Sequence, residues 1–216
     1  RAKAEPVAYL VGHREFFSLD FRVTRNVLIP RPDTESLVVE MLDGVKALVT
    51  SGHSQVRILD LCTGSGCVAI AVARNCPASK YNVELVATDI SSEALLIARE
   101  NATTHKVDDR ITFLEGDLFE PLTVGTKFDI IAGNPPYVSS AEIDSLDPEV
   151  AHHEPRLALD GGPNGLAVFE RIIAEAPKHA APGALFLMEM SPEQAEPLKQ
   201  RLLAHGGYTD VSVCND

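Results

Sequence analysis

Positive charge is scarce in this 216-residue chain: 19 Lys and Arg stand against 31 Asp and Glu, for a formal net charge of −12. No Lys/Arg cluster is dense enough to leave the electrostatic footprint of a nucleic-acid binder, since neutralising phosphates takes several cations on one face. Direct contact with DNA or RNA is therefore not expected. Cysteine is sparse too. Cys62, Cys67, Cys76 and Cys214 have no Cys-x-x-Cys spacing and lie in or beside apolar segments, which argues for reduced thiols in an intracellular protein rather than a disulfide frame or zinc site. No apolar stretch approaches the about 18 residues that a membrane helix needs, so no membrane partner is expected. There is no internal repeat and no low-complexity segment. The sequence begins at Arg1 without methionine or a signal-like segment and reads as an excised fragment. The expected location is the cytoplasm, or an organelle matrix if a targeting segment has been removed.

What is present is enough apolar residue, 45%, to bury the core of one ordinary domain. From about Val56 onward, short β-rich runs alternate with helical stretches, the pattern of a doubly wound, mostly parallel α/β sheet. The runs predict strands at Val56 to Leu61, Glu84 to Asp89, Ile111 to Glu115, Phe128 to Gly133, Ala184 to Met190 and about Tyr208 to Cys214. Helices are predicted over Gly66 to Arg74, Ser91 to Thr103, Gly165 to Ala176 and Pro192 to Ala204. Ser91 supplies a capping hydroxyl, and Ser191-Pro192 puts another before a proline at the first helical position, where its missing N–H is not needed. The first fifty residues differ: Phe16 to Val23 alternates like a hairpin or edge strand, and Pro30-Arg31-Pro32-Asp33 breaks the chain before a helix from about Thr34 to Leu48. This gives a hairpin and linker-helix segment over residues 1–50 and a sheet domain over residues 51–216.

Asp60-Leu61-Cys62-Thr63-Gly64-Ser65-Gly66 closes the first strand of the sheet and opens a helix, and its glycines let backbone approach a small ligand that a side chain would exclude. Gly64-Ser65-Gly66-Cys67-Val68-Ala69 also satisfies a dinucleotide fingerprint, so a nicotinamide-dependent dehydrogenase is one reading. Asp89, with Ile90 beside it, ends the second strand, where a carboxylate accepts hydrogen bonds from ribose hydroxyls; capping of the helix that follows is the bland alternative. Asp117-Leu118 lies after the third strand, where an adenine ring would rest in this architecture. A turn at Gly116-Asp117 with its leucine in the core explains the same residues.

Asn134-Pro135-Pro136-Tyr137 follows the fourth strand at its carboxyl edge, where open α/β sheets place chemistry. Two consecutive prolines fix φ at about −65° twice and hold Asn134 out of the helical region, so its amide is aimed. Such a loop suits a nitrogen substrate. His152-His153-Glu154 does not have a recognised metal-ligand spacing and reads as a structural loop, so no metal is expected.

Together the glycine loop, Asp89 and the Asn-Pro-Pro-Tyr loop resemble a class I S-adenosylmethionine-dependent methyltransferase of the amino-methylating kind. More specifically, the chain resembles the HemK/PrmC family, through Pro6-Val7-Ala8-Tyr9-Leu10-Val11-Gly12, Glu15-Phe16, Leu28-Ile29-Pro30-Arg31-Pro32-Asp33-Thr34-Glu35, Glu154-Pro155-Arg156 and Ala158-Leu159-Asp160-Gly161-Gly162. The resemblance implies a Rossmann-like fold and methylation of the side-chain amide of the glutamine in the Gly-Gly-Gln loop of peptide-chain release factors, with S-adenosylhomocysteine as coproduct. It implies that Asp60, Cys62, Thr63, Gly64, Ser65, Gly66, Asp89, Ile90, Asp117, Leu118 and Asn134 hold the cofactor. It also implies that Asn134 and Pro135 grip the substrate amide with Pro136, that Tyr137 packs on the glutamine methylenes, that Phe16 covers the methionine end of the cofactor, and that Arg31 faces the cofactor carboxylate or the incoming loop. A core anchor is the other reading of Tyr137, and a solvent-facing charge the other reading of Arg31. Cys62 stands where the family usually has the first glycine of its loop, and Leu118 where some relatives carry an aromatic residue. The family's amino-terminal helical bundle and the last antiparallel strand of its seven-stranded sheet are expected outside these 216 residues. The competing readings are an adenine-N6 nucleic-acid methyltransferase and a catalytically silent S-adenosylmethionine-binding module.

Overall fold

The computed structural model describes residues 4–214. In chain order its elements are α1 (Val7–Val11), β1 (His13–Phe16), β2 (Leu19–Arg22), α2 (Thr34–Thr50), β3 (Val56–Leu61), α3 (Cys67–Asn75), β4 (Val83–Asp89), α4 (Ser92–Thr104), β5 (Ile111–Glu115), β6 (Phe128–Gly133), α5 (Pro148–Ala151), α6 (Ala167–His179), β7 (Ala180–Met188) and α7 (Ala195–His205). Strands β3 to β7 form one parallel sheet in the order β5-β4-β3-β6-β7, while β1 and β2 pair antiparallel as a separate hairpin. The chain steps outward from β3 to β4 to β5, then returns to lay β6 against the other side of β3. The carboxyl ends of β3 and β6 therefore flank the switch point, where parallel sheets of this kind open a crevice for ligands.

The three central strands, β3, β4 and β6, are covered on both faces, which is why they read as near-continuous apolar runs. On one face Ile58, Leu85, Phe113 and Ile130 pack under α2, α3, α4 and the hairpin; on the other Leu59, Leu61, Val86 and Ile131 meet Ile172 and Ala176 of α6. Register matters at the crevice. Leu61 pairs with Gly133, so the loops leaving β3 and β6 start level with one another. A Cβ on Gly133 would sit 2.8 Å from the Leu61 carbonyl oxygen, so only glycine lets the two strand ends close up.

Three elements depart from the sequence reading. No strand forms over Tyr208 to Cys214: after α7 the chain turns at Gly206, Asp210 takes a φ of +54° that no extended strand accommodates, and the Tyr208 hydroxyl donates to the Ile173 carbonyl at 2.8 Å instead of standing in a ladder. The strand predicted from Ala184 begins at Ala180, but its pairing with β6 slips between Phe128 and Ile130, around Pro182 and Gly183, and resumes at Leu185. The five-residue helix α1, too short to carry a periodic pattern, has no counterpart in that reading.

Candidate active site

The loop after β3 is shaped by its own hydrogen bonds. The Thr63 hydroxyl donates to buried Asp60 at 2.6 Å, and the Thr63 N–H donates to the Thr88 carbonyl. Burial pushes the Asp60 carboxyl up to about 7, opposed by the Thr63 hydroxyl. Cys62 and Gly64 take φ values of +57° and +54°. The Gly64 N–H donates to Asp89 Oδ2 at 2.8 Å, and the Ser91 N–H donates to Asp89 Oδ1 at 2.9 Å, so one strand-end carboxylate ties the glycine loop to the start of α4. The Ser91 hydroxyl accepts from the Ala94 N–H at 3.1 Å and caps that helix itself. Asp89 is therefore not the helix cap. Burial raises its pKa against the backbone amides of Ser91, Gly64 and Ile90.

A cavity of about 200 Å³ runs along this loop and across the switch point. Of the sequence-predicted residues, Cys62, Gly64, Asp89, Ile90, Asp117, Leu118, Asn134 and Pro136 line it. A Cβ built on Gly64 would meet no atom within 4 Å, so backbone faces open space there. Together with the Asp89 carboxylate and apolar Ile90 and Leu118 in the same wall, that opening has the chemistry to take a nucleoside with a charged tail. Asp60, Thr63, Ser65 and Gly66 lie behind the loop and shape it without lining the cavity.

The loop after β6 lines the same cavity through Asn134 and Pro136. Asn134 donates its Nδ2 to the Thr34 hydroxyl at 3.2 Å. Tyr137 is half-buried against Leu166, Phe169 and Leu198, its phenol hydrogen-bonded to Glu189 and its pKa pushed up to about 12 by burial and by that carboxylate. Its carbonyl accepts from Gln194 Nε2 at 2.8 Å. Tyr137 is thus an anchor of the loop and does not line the cavity, as a core tyrosine would be placed. Pro135 is buried. Behind it, the Val138 N–H donates to the Leu159 carbonyl and the Gly161 N–H to the Val138 carbonyl. A Cβ on Gly161 would lie 2.7 Å from the Pro136 carbonyl, and one on Gly165 would overlap that of Tyr137.

Two expected ligand contacts are engaged elsewhere. Phe16 is 2% exposed and packs edge-on to Phe21 in the core beneath the hairpin, the one buried side chain of β1. Arg31 is absent from the cavity wall: its Nη2 donates to both oxygens of Glu154, at 2.7 and 2.8 Å, and the Glu154 side chain is 1% exposed. Burial raises the Glu154 pKa, and Arg31 opposes the shift. Asp117 does line the cavity, but its Oδ2 accepts from Arg171 of α6 at 2.7 Å, which leaves Oδ1 for a ligand donor.

The wall also contains residues that sequence reasoning missed as site residues: Asn26, Val27 and Leu28 after the hairpin, Pro155, and Arg171. Leu28 and Pro155 belong to the flanking motifs and carried that much signal; Arg171 carried none. Among the described residues, no three His, Cys, Asp or Glu side chains are grouped to hold a metal ion.

A glycine loop after the first sheet strand, a carboxylate after the second and an Asn-Pro-Pro-Tyr loop after the fourth define a class I methyltransferase site. In agreement, residues 39–154 match the methyltransferase small domain family. The chain is 40% identical over all 216 residues to the release factor glutamine methyltransferase of Rhodopirellula baltica, and equally so to that of Geobacter sulfurreducens, covering 71% of each. It belongs to the release factor glutamine methyltransferase family. The fold is shared with a crystal structure of a SAM-dependent methyltransferase from Agrobacterium tumefaciens, at 16% identity and a TM-score of 0.56 over 89% of this chain and 57% of that one.

Proposed function

We propose that this protein transfers a methyl group from S-adenosylmethionine to the side-chain amide nitrogen of the glutamine in the Gly-Gly-Gln loop of a peptide-chain release factor. The observation that carries this reading is one cavity lined by Gly64 and Asp89 and also by Asn134. The family membership supports it.

In this proposal Asp89 accepts the ribose hydroxyls, the Gly64 backbone lies against the cofactor tail, and Asp117 Oδ1 and Leu118 take the adenine. When bound, S-adenosylmethionine supplies an electrophilic methyl group. The chain's own task is to position a poor nucleophile, because an amide nitrogen shares its lone pair with the carbonyl. Asn134 Oδ1 and the Pro135 carbonyl each accept one N–H of the glutamine amide, fixing the nitrogen and localising its lone pair. Effective molarity then contributes several of the roughly 7–11 kcal/mol that good orientation can give. Acceptors aimed at the developing positive charge act more strongly in the transition state than in the ground state. The alkylated amide is acidic enough to lose its proton to water, so no strong base is required. Tyr137 and Gln194 act by holding the loop.

Residues 1–50 then serve as a segment that closes one wall of the cavity through Asn26 to Leu28, with residues 51–216 as the methyltransferase domain. No helix among the described residues is long and apolar enough to cross a membrane. For a release-factor substrate the proposed place of reaction is the cytoplasm, or an organelle matrix if a targeting segment has been removed. The test is incubation with labelled S-adenosylmethionine and a release factor, read by peptide mass spectrometry. One methyl on the loop glutamine is expected, abolished by Asn134→Ala while S-adenosylhomocysteine still binds. Label on DNA or RNA and none on protein would replace this reading with the nucleic-acid one.

A further inference from the structure

A carboxamide is nearly symmetric in shape, and a half turn about its last torsion exchanges an acceptor for two donors. For a residue meant to accept from a substrate N–H, that exchange reverses the sign of the contact. Something in the protein must choose the orientation. Asn134 lines the cavity, and its Nδ2 donates to the hydroxyl of Thr34, 100 residues away in sequence, at 3.2 Å. Thr34 is 3% exposed, so water cannot readily take the place of its hydroxyl.

Thr34 is also well fixed. It opens α2, its N–H donates to the Arg31 carbonyl at 3.2 Å, and Arg31 is locked onto buried Glu154. Its β-branched side chain has few rotamers. We propose that Thr34 is a positioning residue: by accepting from Nδ2 it turns Oδ1 of Asn134 into the cavity, so that the N-terminal segment sets the polarity of the catalytic loop. This rests on the methyl-transfer reading above and deepens it. Nothing in it requires Thr34 to touch the substrate.

The experiment compares Thr34→Val, which keeps the shape and removes the hydroxyl, with Thr34→Ser, which keeps the hydroxyl. In the release-factor transfer assay, Thr34→Val should lower kcat about tenfold, the loss of one oriented hydrogen bond, with the cofactor KM and the Kd for S-adenosylhomocysteine unchanged. Thr34→Ser should stay within about twofold of the parent, since its hydroxyl can still accept. A full-speed Thr34→Val, or a Thr34→Ser as slow as Thr34→Val, overturns the proposal. Hydrogen exchange of the Asn134 side-chain amide in the unaltered protein decides the matter even if Thr34→Val does not fold: slow exchange of one proton supports it, and exchange as fast as an exposed asparagine overturns it. Loss of activity in Asn134→Ala but not in Thr34→Val sinks this inference alone; an active Asn134→Ala sinks the underlying reading.

Discussion

Gln194 holds Tyr137 by its backbone: Nε2 donates to the Tyr137 carbonyl at 2.8 Å and to the Gly165 carbonyl at 3.1 Å, while Oε1 accepts from the Ser191 N–H at 3.2 Å. One 8%-exposed side chain thus joins the end of the Asn-Pro-Pro-Tyr loop, the approach to α6 and the turn before α7. Replacing it with leucine would leave two carbonyls and an N–H without partners. Gln194→Leu should cost about 2–3 kcal/mol, read as a lower midpoint in urea, and should lower kcat more than it weakens cofactor binding.

Gly165 has a φ of +71°, and a Cβ there would overlap the Tyr137 carbonyl. Gly165→Ala should therefore cost more than the about 1 kcal/mol of left-handed strain alone, because the loop backbone must also move. Thermal melting and the transfer assay should both register it, whereas Gly52→Ala, also at positive φ but with nothing within 4 Å, should show the strain only.

Asp89 accepts from two backbone amides, and an asparagine in its place would turn an NH₂ against one of them. Asp89→Asn should weaken S-adenosylhomocysteine binding at least tenfold by calorimetry, since each charge-assisted bond is worth about 1.5–3 kcal/mol.

The buried Asp60 carboxyl has its pKa raised from 3.8 to about 7. A group protonated more readily in the folded state stabilises it fully below the unfolded pKa, and that stabilisation is lost as pH rises through the folded one. This contribution should decline between about pH 4 and pH 7. In Asp60→Asn, which can still accept from the Thr63 hydroxyl, urea midpoints measured across that window should fall less than in the parent.

Removing the partner of a buried carboxylate is costlier than removing the pair. Arg31→Met should cost about 3 kcal/mol, and Arg31→Met with Glu154→Leu should recover most of it in denaturant titrations.

Much of this fold is written locally. Val56–Leu61 and Phe128–Gly133 coincide with the predicted strands because they are mostly apolar runs bounded by breakers and buried between two layers, and Ile111–Glu115 coincides because it is a short β-rich run in which Ile111 and Phe113 turn inward while Thr112 stays exposed. Tyr208 to Cys214 has the composition of a strand but no ladder, and composition does not reveal whether an edge will pair. The site divides the same way. Gly64, Asp89 and Asn134 stand at strand ends, where topology alone brings them to the crevice. Arg31 and Phe16 were placed by resemblance, and neither a buried carboxylate 123 positions away nor the inward turn of a hairpin strand can be read from one sequence. Thr34 and Gln194 escaped for the same reason: each acts on a loop far along the chain.

The bracing behind Asn134-Pro135-Pro136-Tyr137 bears on redesign. Grafting those four residues onto the end of another parallel strand would carry the reactive side chain and leave behind Thr34, Gln194 and the two glycines that the Pro136 and Tyr137 carbonyls press against. The transplanted tetrapeptide would have the right chemistry in an unspecified pose. A functional graft must bring three distant stretches of chain with it, so the portable unit is much larger than the motif.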